Sequence, residues 1–193
     1  MTVMRDQVVK QLVSVEAHAN DDGIIPAFNV LVNQLPTAFW NTVAARMMAI
    51  VPPGREEQME EALVRCAYEC GYHTGYGIIT SPEFSAAVMP MVTEGAKDVL
   101  RGAYAVFTAW GWAKSGIVQI KEGERMTVRA VDYYEADSGG KGPRAYMIQG
   151  VSSAFFELAY AAPYPNGMDT FTCAQTRGIE VGDAYGEFVV TKK

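Results

Sequence analysis

Few side chains in this sequence have both the type and the spacing that chemistry needs. Cys66, Cys70 and His73 fall at i, i+4 and i+7, one face of a continuous helix, and Cys173 offers a further soft donor. Thiolates and an imidazole in that number suit tetrahedral zinc. The competing reading makes both helix cysteines small core residues and His73 a helix-end cap, because cysteine is among the most buried residue types. We favour the second reading and expect no metal and no cofactor. Asp132 and Glu135 place two carboxylates at a strand end, either for acid–base work or as a solvated terminus. Arg129 and Arg144 either grip a ligand carboxylate with two parallel N–H donors or pair with surface acids. No Gly-rich phosphate loop, Ser-His-Asp set or HExxH is present, and His18 and His73 are the only histidines, which excludes a histidine-rich metal site.

The aromatic candidates are more numerous. Phe107, Trp110 and Trp112 close one helical pattern, Tyr146, Phe155 and Phe156 lie on a second, and Tyr72 and His73 stand at the Gly-rich end of a third. If these groups meet above a sheet they line one apolar cavity, with hydroxyls and an imidazole to orient a ligand. Otherwise they are packed core.

The elements that must position them follow from periodicity. Met4, Val8, Leu12 and Val15 predict a helix over 3–19, and residues 26–50 predict more helix, with Pro36 starting a second segment. Over 55–72, Met59, Leu63, Cys66 and Cys70 form the predicted apolar face, after which Gly71, Gly75 and Gly77 loosen or end the helix. Ser81-Pro82-Glu83 is a helix start, and the pattern runs to about Trp110 or Trp112 with a kink or split at Pro90. Gly95 and Gly102 are costly in a helix and mark close packing. Residues 116–121 and 125–134 alternate as strands about a Gly-containing turn. The helix over 145–160 shows one apolar stripe, through Ile148, Val151, Phe155, Leu158 and Ala159. A closing hairpin follows, with Phe171 and Cys173 on one strand and the Gly182-Asp183 turn before the return strand.

The expected fold class is α+β: a helical N-terminal half followed by a four-stranded antiparallel sheet packed with helices. At 193 residues and 49% hydrophobic content the chain is long and apolar enough for one domain with one core. A net charge of −6 with no basic cluster argues against nucleic acid and anionic membrane as partners. No apolar run approaches the roughly 20 residues of a membrane span. The N-terminus has no uninterrupted apolar h-region, and three cysteines suit reduced thiols, so a cytoplasmic location is expected.

Three stretches, CAYECGYHTGY (66–76), AVFTAWGWAKSGIVQI (105–120) and the pair QGVSSAFFELAY and VGDAYGEFVV near the C-terminus, resemble the 4-vinyl reductase, or hydrocarbon-binding, domain family, notably its bacteriochlorophyll 4-vinyl reductase branch. The resemblance spans roughly residues 55–190. It implies a ligand-binding fold that holds a hydrophobic, aromatic or tetrapyrrole-type molecule, with Tyr72, His73, Phe107, Trp110, Trp112, Tyr146, Phe155 and Phe156 as ligand-binding residues. It divides the single domain, 1–193, into an N-terminal helical segment, 1–54, and a core, 55–193. Relatives of this family often carry zinc-binding cysteines in the closing hairpin; the matching positions here are Gly178 and Gly186.

Three functions stay open at this point. The chain is a binding module for a hydrophobic small molecule. Alternatively it is an enzyme or an enzyme's accessory subunit, akin to the vinyl reductases or to L-2-amino-thiazoline-4-carboxylate hydrolase; no dinucleotide motif is present, so a reductase would need a partner. Or it is a scaffold that dimerises through helices, as similar domains in vesicle-tethering complexes do. A homodimer is expected through 26–50, where Phe28, Leu31, Phe39, Trp40, Met47, Met48 and Ile50 supply apolar surface.

Overall fold

The structure, a computed structural model, describes residues 2–13, 18–33, 35–138 and 144–193. In chain order it contains α1 (Thr2–Leu12), β1 (Ile25–Ala27), β2 (Val30–Val32), α2 (Thr37–Ile50), α3 (Glu56–Ile79), α4 (Pro82–Ala87), α5 (Ala96–Ala109), β3 (Ala113–Lys121), β4 (Arg125–Tyr133), α6 (Tyr146–Tyr160), β5 (Phe171–Arg177) and β6 (Gly186–Lys192). The four strands β3 to β6 form one antiparallel sheet in the order β3-β4-β6-β5. This is the α+β architecture that the periodicity predicts.

The sheet's inner face carries Met126, Val128 and Ala130 from β4, Phe188 and Val190 from β6, and Phe171 and Cys173 from β5, all buried. Alternation along each strand puts these on one side. Helix α6 lies on that face, and α3 covers α6. The single apolar stripe predicted for α6 is therefore too narrow a description. Every α6 residue from Tyr146 to Glu157 except Gln149 is buried, because the helix has the sheet on one side and α3 on the other. Its inner polar groups find partners: Ser152 Oγ accepts from Tyr104 Oη at 2.7 Å, and the Glu157 carboxylate accepts from Thr170 N at 2.8 Å, Phe171 N at 2.9 Å and the Tyr68 hydroxyl.

The close approach of α3 and α6 explains the glycines. A Cβ on Gly150 would lie 2.5 Å from Tyr68 N and Val64 O, and one on Gly71 would lie 3.1 Å from Val151 Cα. Gly71, Gly75 and Gly77 neither loosen nor end α3, which continues to Ile79. The helix cost of glycine, about 1 kcal/mol each, is offset by the close approach of Gly71 to the α6 backbone, of Gly75 to Leu158 and Phe155, and of Gly77 to Val30 on β2. The buried face of α3 runs through Leu63, Ala67, Gly71, Gly75 and Ile78, not through Met59, Cys66 and Cys70 as the hydropathy pattern suggests. Cys66 and Cys70 are exposed, which corrects their reading as core residues.

The N-terminal segment departs from expectation more. Residues 25–32 form a hairpin of two short strands, not helix. Its turn places Phe28 and Asn29 at φ 52 and φ 57. A left-handed Phe is costly, but Phe28 is fully buried and meets Trp110 edge to face at 5.0 Å. Helix α1 ends at Leu12; part of the predicted continuation to residue 19 lies outside the described residues. Ser81 caps α4 by accepting the Phe84 N–H at 3.1 Å, as predicted. The long pattern after it is split: α4 stops at Ala87, a 3-10 turn carries Pro90, and α5 begins after Gly95, which sits at φ 60 outside the helix. Gly102 is a close-packing position, since a Cβ there would lie 2.3 Å from Val88 Cγ1. No helix among the described residues is long and apolar enough to cross a membrane.

Candidate functional site

The end of α5 builds the aromatic part of the site. Gly111 takes φ 75, donates its N–H to Thr108 O at 3.0 Å, and lets the Trp112 N–H reach Phe107 O at 3.2 Å. These two bonds are the Schellman arrangement, which brings the residue after the glycine back onto the last helical turn. Trp112 accordingly stacks on Phe107, centroids 5.9 Å apart and planes 12° from parallel. Phe155 from α6 meets Phe107 edge-on at 6.4 Å, and Tyr104 meets Phe155 at 5.7 Å. Tyr134, just past β4, closes the other side of Trp112 at 5.8 Å.

A polar corner adjoins these rings. Glu135 is buried and accepts the N–H groups of Met147 at 2.8 Å and Ile148 at 3.2 Å, so it caps the start of α6 from another element. Burial pushes its carboxyl up to about 8, against the pull of the helix N–H donors, which favour the charged form. The Tyr134 and Tyr146 hydroxyls are both raised above their ordinary value, first by burial and then by the neighbouring Glu135. The Tyr134 hydroxyl is buried beside the Tyr146 hydroxyl, and the pair falls short of good hydrogen-bond geometry. Tyr146 also lines a cleft of about 330 Å³ between α3, α6 and β5, whose lining mixes Val64, Tyr68 and Cys173 with seven charged side chains, Arg65, Arg144 and Asp169 among them. Tyr146 thus stands between the cleft and the ring cluster. Burial raises the Cys173 thiol, which keeps it protonated and unreactive.

The eight aromatic and imidazole candidates do not meet in one place. Phe107, Trp112 and Phe155 come together, and Tyr146 joins the same core. Trp110, the helix-capping residue, points the other way into a second core with Phe28, Val88 and Val106. Phe156 turns toward the sheet and meets Phe171 at 4.7 Å. Tyr72 is buried in a third group with Tyr68 and Ala154, and its hydroxyl accepts the Gly167 N–H at 3.1 Å. His73 is exposed and hydrogen-bonds Tyr164 Oη through Nδ1 at 3.0 Å.

The possible zinc donors scatter as well. Among the described residues no three His, Cys, Asp or Glu side chains gather as a metal site. Asp132 is exposed, in keeping with a solvated strand end, but Glu135 is buried and structural, which that reading did not foresee. Arg129 pairs with Glu187 at 3.4 Å. Arg144 lines the cleft of Tyr146. Periodicity missed Tyr134 and the capping role of Glu135, because both follow β4 in a short 3-10 helix with no apolar rhythm. The one sequence signal was an acidic residue a loop away from an uncapped helix start at Ala145.

No family model matches the chain, and no curated protein matches it. Solved structures do. The phenol-responsive sensory domain of the transcription activator PoxR, determined with phenol, is similar at a TM-score of 0.71 and 13% identity, covering 100% of this chain and 91% of that one. A trafficking protein particle complex subunit 3 from Naegleria fowleri, covalently bound to palmitic acid, is similar at a TM-score of 0.54 and 14% identity, covering 81% of this chain and 92% of that one. At these identities the likeness is one of fold.

Proposed function

We propose that the chain is a small-molecule-binding domain whose ligand is hydrophobic and aromatic, taken up between the Phe107, Trp112 and Phe155 rings and the corner of Tyr134, Glu135 and Tyr146. The observation that carries this reading is the buried Tyr134 hydroxyl, which has the Tyr146 hydroxyl beside it but no well-formed hydrogen bond. A buried polar group left unpaired costs about 1–3 kcal/mol, so a ligand group that hydrogen-bonds it is favoured over a purely apolar one. Aromatic walls with few polar groups are the usual lining of such sites. The cleft leading to Tyr146, about 330 Å³, is at the small end of the roughly 300–1,000 Å³ typical of ligand pockets. An entrance of that size admits a single-ring ligand more readily than a tetrapyrrole. The shared fold with a phenol-responsive sensory domain supports the binding reading and the resemblance to the 4-vinyl reductase domain.

The N-terminal segment, 1–54, is proposed to carry a homodimer contact on its exposed apolar residues, and 55–193 to form the ligand-binding core. The test of function is a titration of phenol and toluene into the full chain, followed by calorimetry and tryptophan fluorescence. Phenol is expected to bind and to raise the melting midpoint. Tyr134→Phe should weaken phenol about tenfold, the equivalent of one hydrogen bond of about 1.4 kcal/mol, and leave toluene unchanged. Absence of any aromatic effect on the wild-type midpoint would overturn the reading.

A further inference from the structure

A second cleft, of about 360 Å³, lies at edge strand β3 and reaches Tyr104 at the margin of the rings. Four cations line it, Arg5, Arg101, Lys114 and Arg129, and no carboxylate does. In a chain with 16 Lys and Arg against 22 Asp and Glu, such a lining is not expected from composition.

The three arginines are held in place from outside the lining. Arg101 Nη1 bonds Asp98 Oδ1 at 2.7 Å and Glu94 Oε2 at 3.1 Å. Arg129 Nη2 bonds Glu187 Oε2 at 3.4 Å, and its guanidinium lies 4.1 Å from the Tyr185 ring centre. Arg5 bonds Asp6. These contacts leave donors over: the Nε atoms of Arg101 and Arg129 are buried and have no partner among the described residues. A buried guanidinium N–H without an acceptor is the feature an oxyanion satisfies. Lys114 is exposed, stands opposite Asp132 in the strand register, and makes no direct ion pair among the described residues, so its ammonium is free to turn to a ligand.

The shape completes the site. Gly116 stands opposite Arg129 in the strand register, and a Cβ built on it meets nothing within 4 Å. The space over Gly116, across the strand pair from Arg129, is therefore open. Val118 and Val131, 44% and 53% exposed, supply an apolar floor beside the charges.

We propose that this cleft binds a small organic anion: a carboxylate on an apolar body, with the oxyanion held by Lys114, Arg101 and Arg129 and the body resting on Val118 and Val131. The guanidinium fork matches a carboxylate in plane and spacing. The anion-holding side chains lie outside the ring cluster, which shares only Tyr104 with this cleft.

The experiment uses the full chain with benzoate, its neutral counterpart benzyl alcohol, and inorganic phosphate, read by calorimetry at low salt and by backbone amide shifts. Benzoate is expected to shift the amides of Lys114 and Gly116 at concentrations at least about tenfold lower than either, and to do so more weakly as salt is raised. Lys114→Glu, at an exposed residue with no ion pair, should lower benzoate affinity about tenfold or more, and Arg129→Gln should do likewise. Should Arg129→Gln fail to fold, Lys114→Glu still decides. Tyr134→Phe should leave benzoate binding unchanged. Equal shifts of the Lys114 and Gly116 amides by benzyl alcohol or by phosphate overturn the proposal, as do benzoate-induced shifts that ignore Lys114→Glu or are lost with Tyr134→Phe.

Discussion

Glu135 Oε1 accepts the Met147 N–H at 2.8 Å, so the start of α6 is capped by a carboxylate from the element that follows β4. Two effects compete on that carboxyl. Burial disfavours its charged form; the helix N–H groups favour it. Burial wins, and the folded-state value rises from 4.5 to about 8. Because the folded value is the higher one, the folded state holds the proton more tightly than the unfolded chain. The associated stability is fully present below about pH 4.5 and is lost as pH rises through about 8.

Glu135→Gln should therefore be close to wild type in melting midpoint at pH 5, where both side chains are neutral. It should gain relative to wild type toward pH 9, where only the wild type holds a buried charge. A midpoint series in matched buffers checks this. If the variant instead falls further behind at high pH, the cap bonds outweigh burial.

Gly150 and Gly116 make opposite forecasts from the same substitution. A Cβ on Gly150 meets the backbone of α3 at 2.5 Å, whereas one on Gly116 meets open space. Gly150→Ala should destabilise by about 3 kcal/mol or more, since neither helix backbone can yield cheaply. Gly116→Ala should be neutral or slightly stabilising, as alanine loses less entropy in a strand. Urea denaturation of the two variants separates them.

Trp110 and Trp112 differ by two positions and should differ in phenotype. Trp110→Ala removes the Phe28 contact and should lower stability, by up to about 3 kcal/mol for a half-buried ring, with the affinity of the remaining folded protein for phenol unchanged. Trp112→Ala removes the ring stacked on Phe107 and should cost ligand affinity at least about tenfold beyond any stability loss. Calorimetric titration of both variants, below their melting midpoints, reads the split.

Leu31, Phe39 and Ile50 are 72%, 46% and 80% exposed on the N-terminal segment. On the homodimer proposal, sedimentation at micromolar concentration gives twice the chain mass, and Leu31→Glu with Ile50→Glu returns the monomer, since unpaired charges oppose burial at an interface core. A wild-type monomer would count against the dimer.

The sequence by itself determined the kinds of element and their order from α2 onward: the Ser81 cap, the split near Pro90, the two strand hairpins and the long helix before the last one. Each of these is a local property, set by residue conformational preference and by which positions repeat as apolar. Periodicity can say that α6 has an apolar stripe; it cannot say that α3 covers the opposite side, because that depends on a partner about 80 residues away in sequence. The same limit hid the meaning of Gly71 and Gly75, which read locally as helix-weakening and serve in the fold as the surface on which α6 rests. It also hid the β1–β2 hairpin, where a left-handed Phe28 is tolerated only because the Trp110 core encloses it. At the candidate site, the rings were visible as residue types, but their grouping was not. One left-handed glycine, Gly111, sends Trp112 back onto Phe107 and leaves Trp110 facing Phe28. Whether two aromatics two residues apart share a core is decided by that turn and by what packs on each side of it, and only the tertiary structure supplies the second.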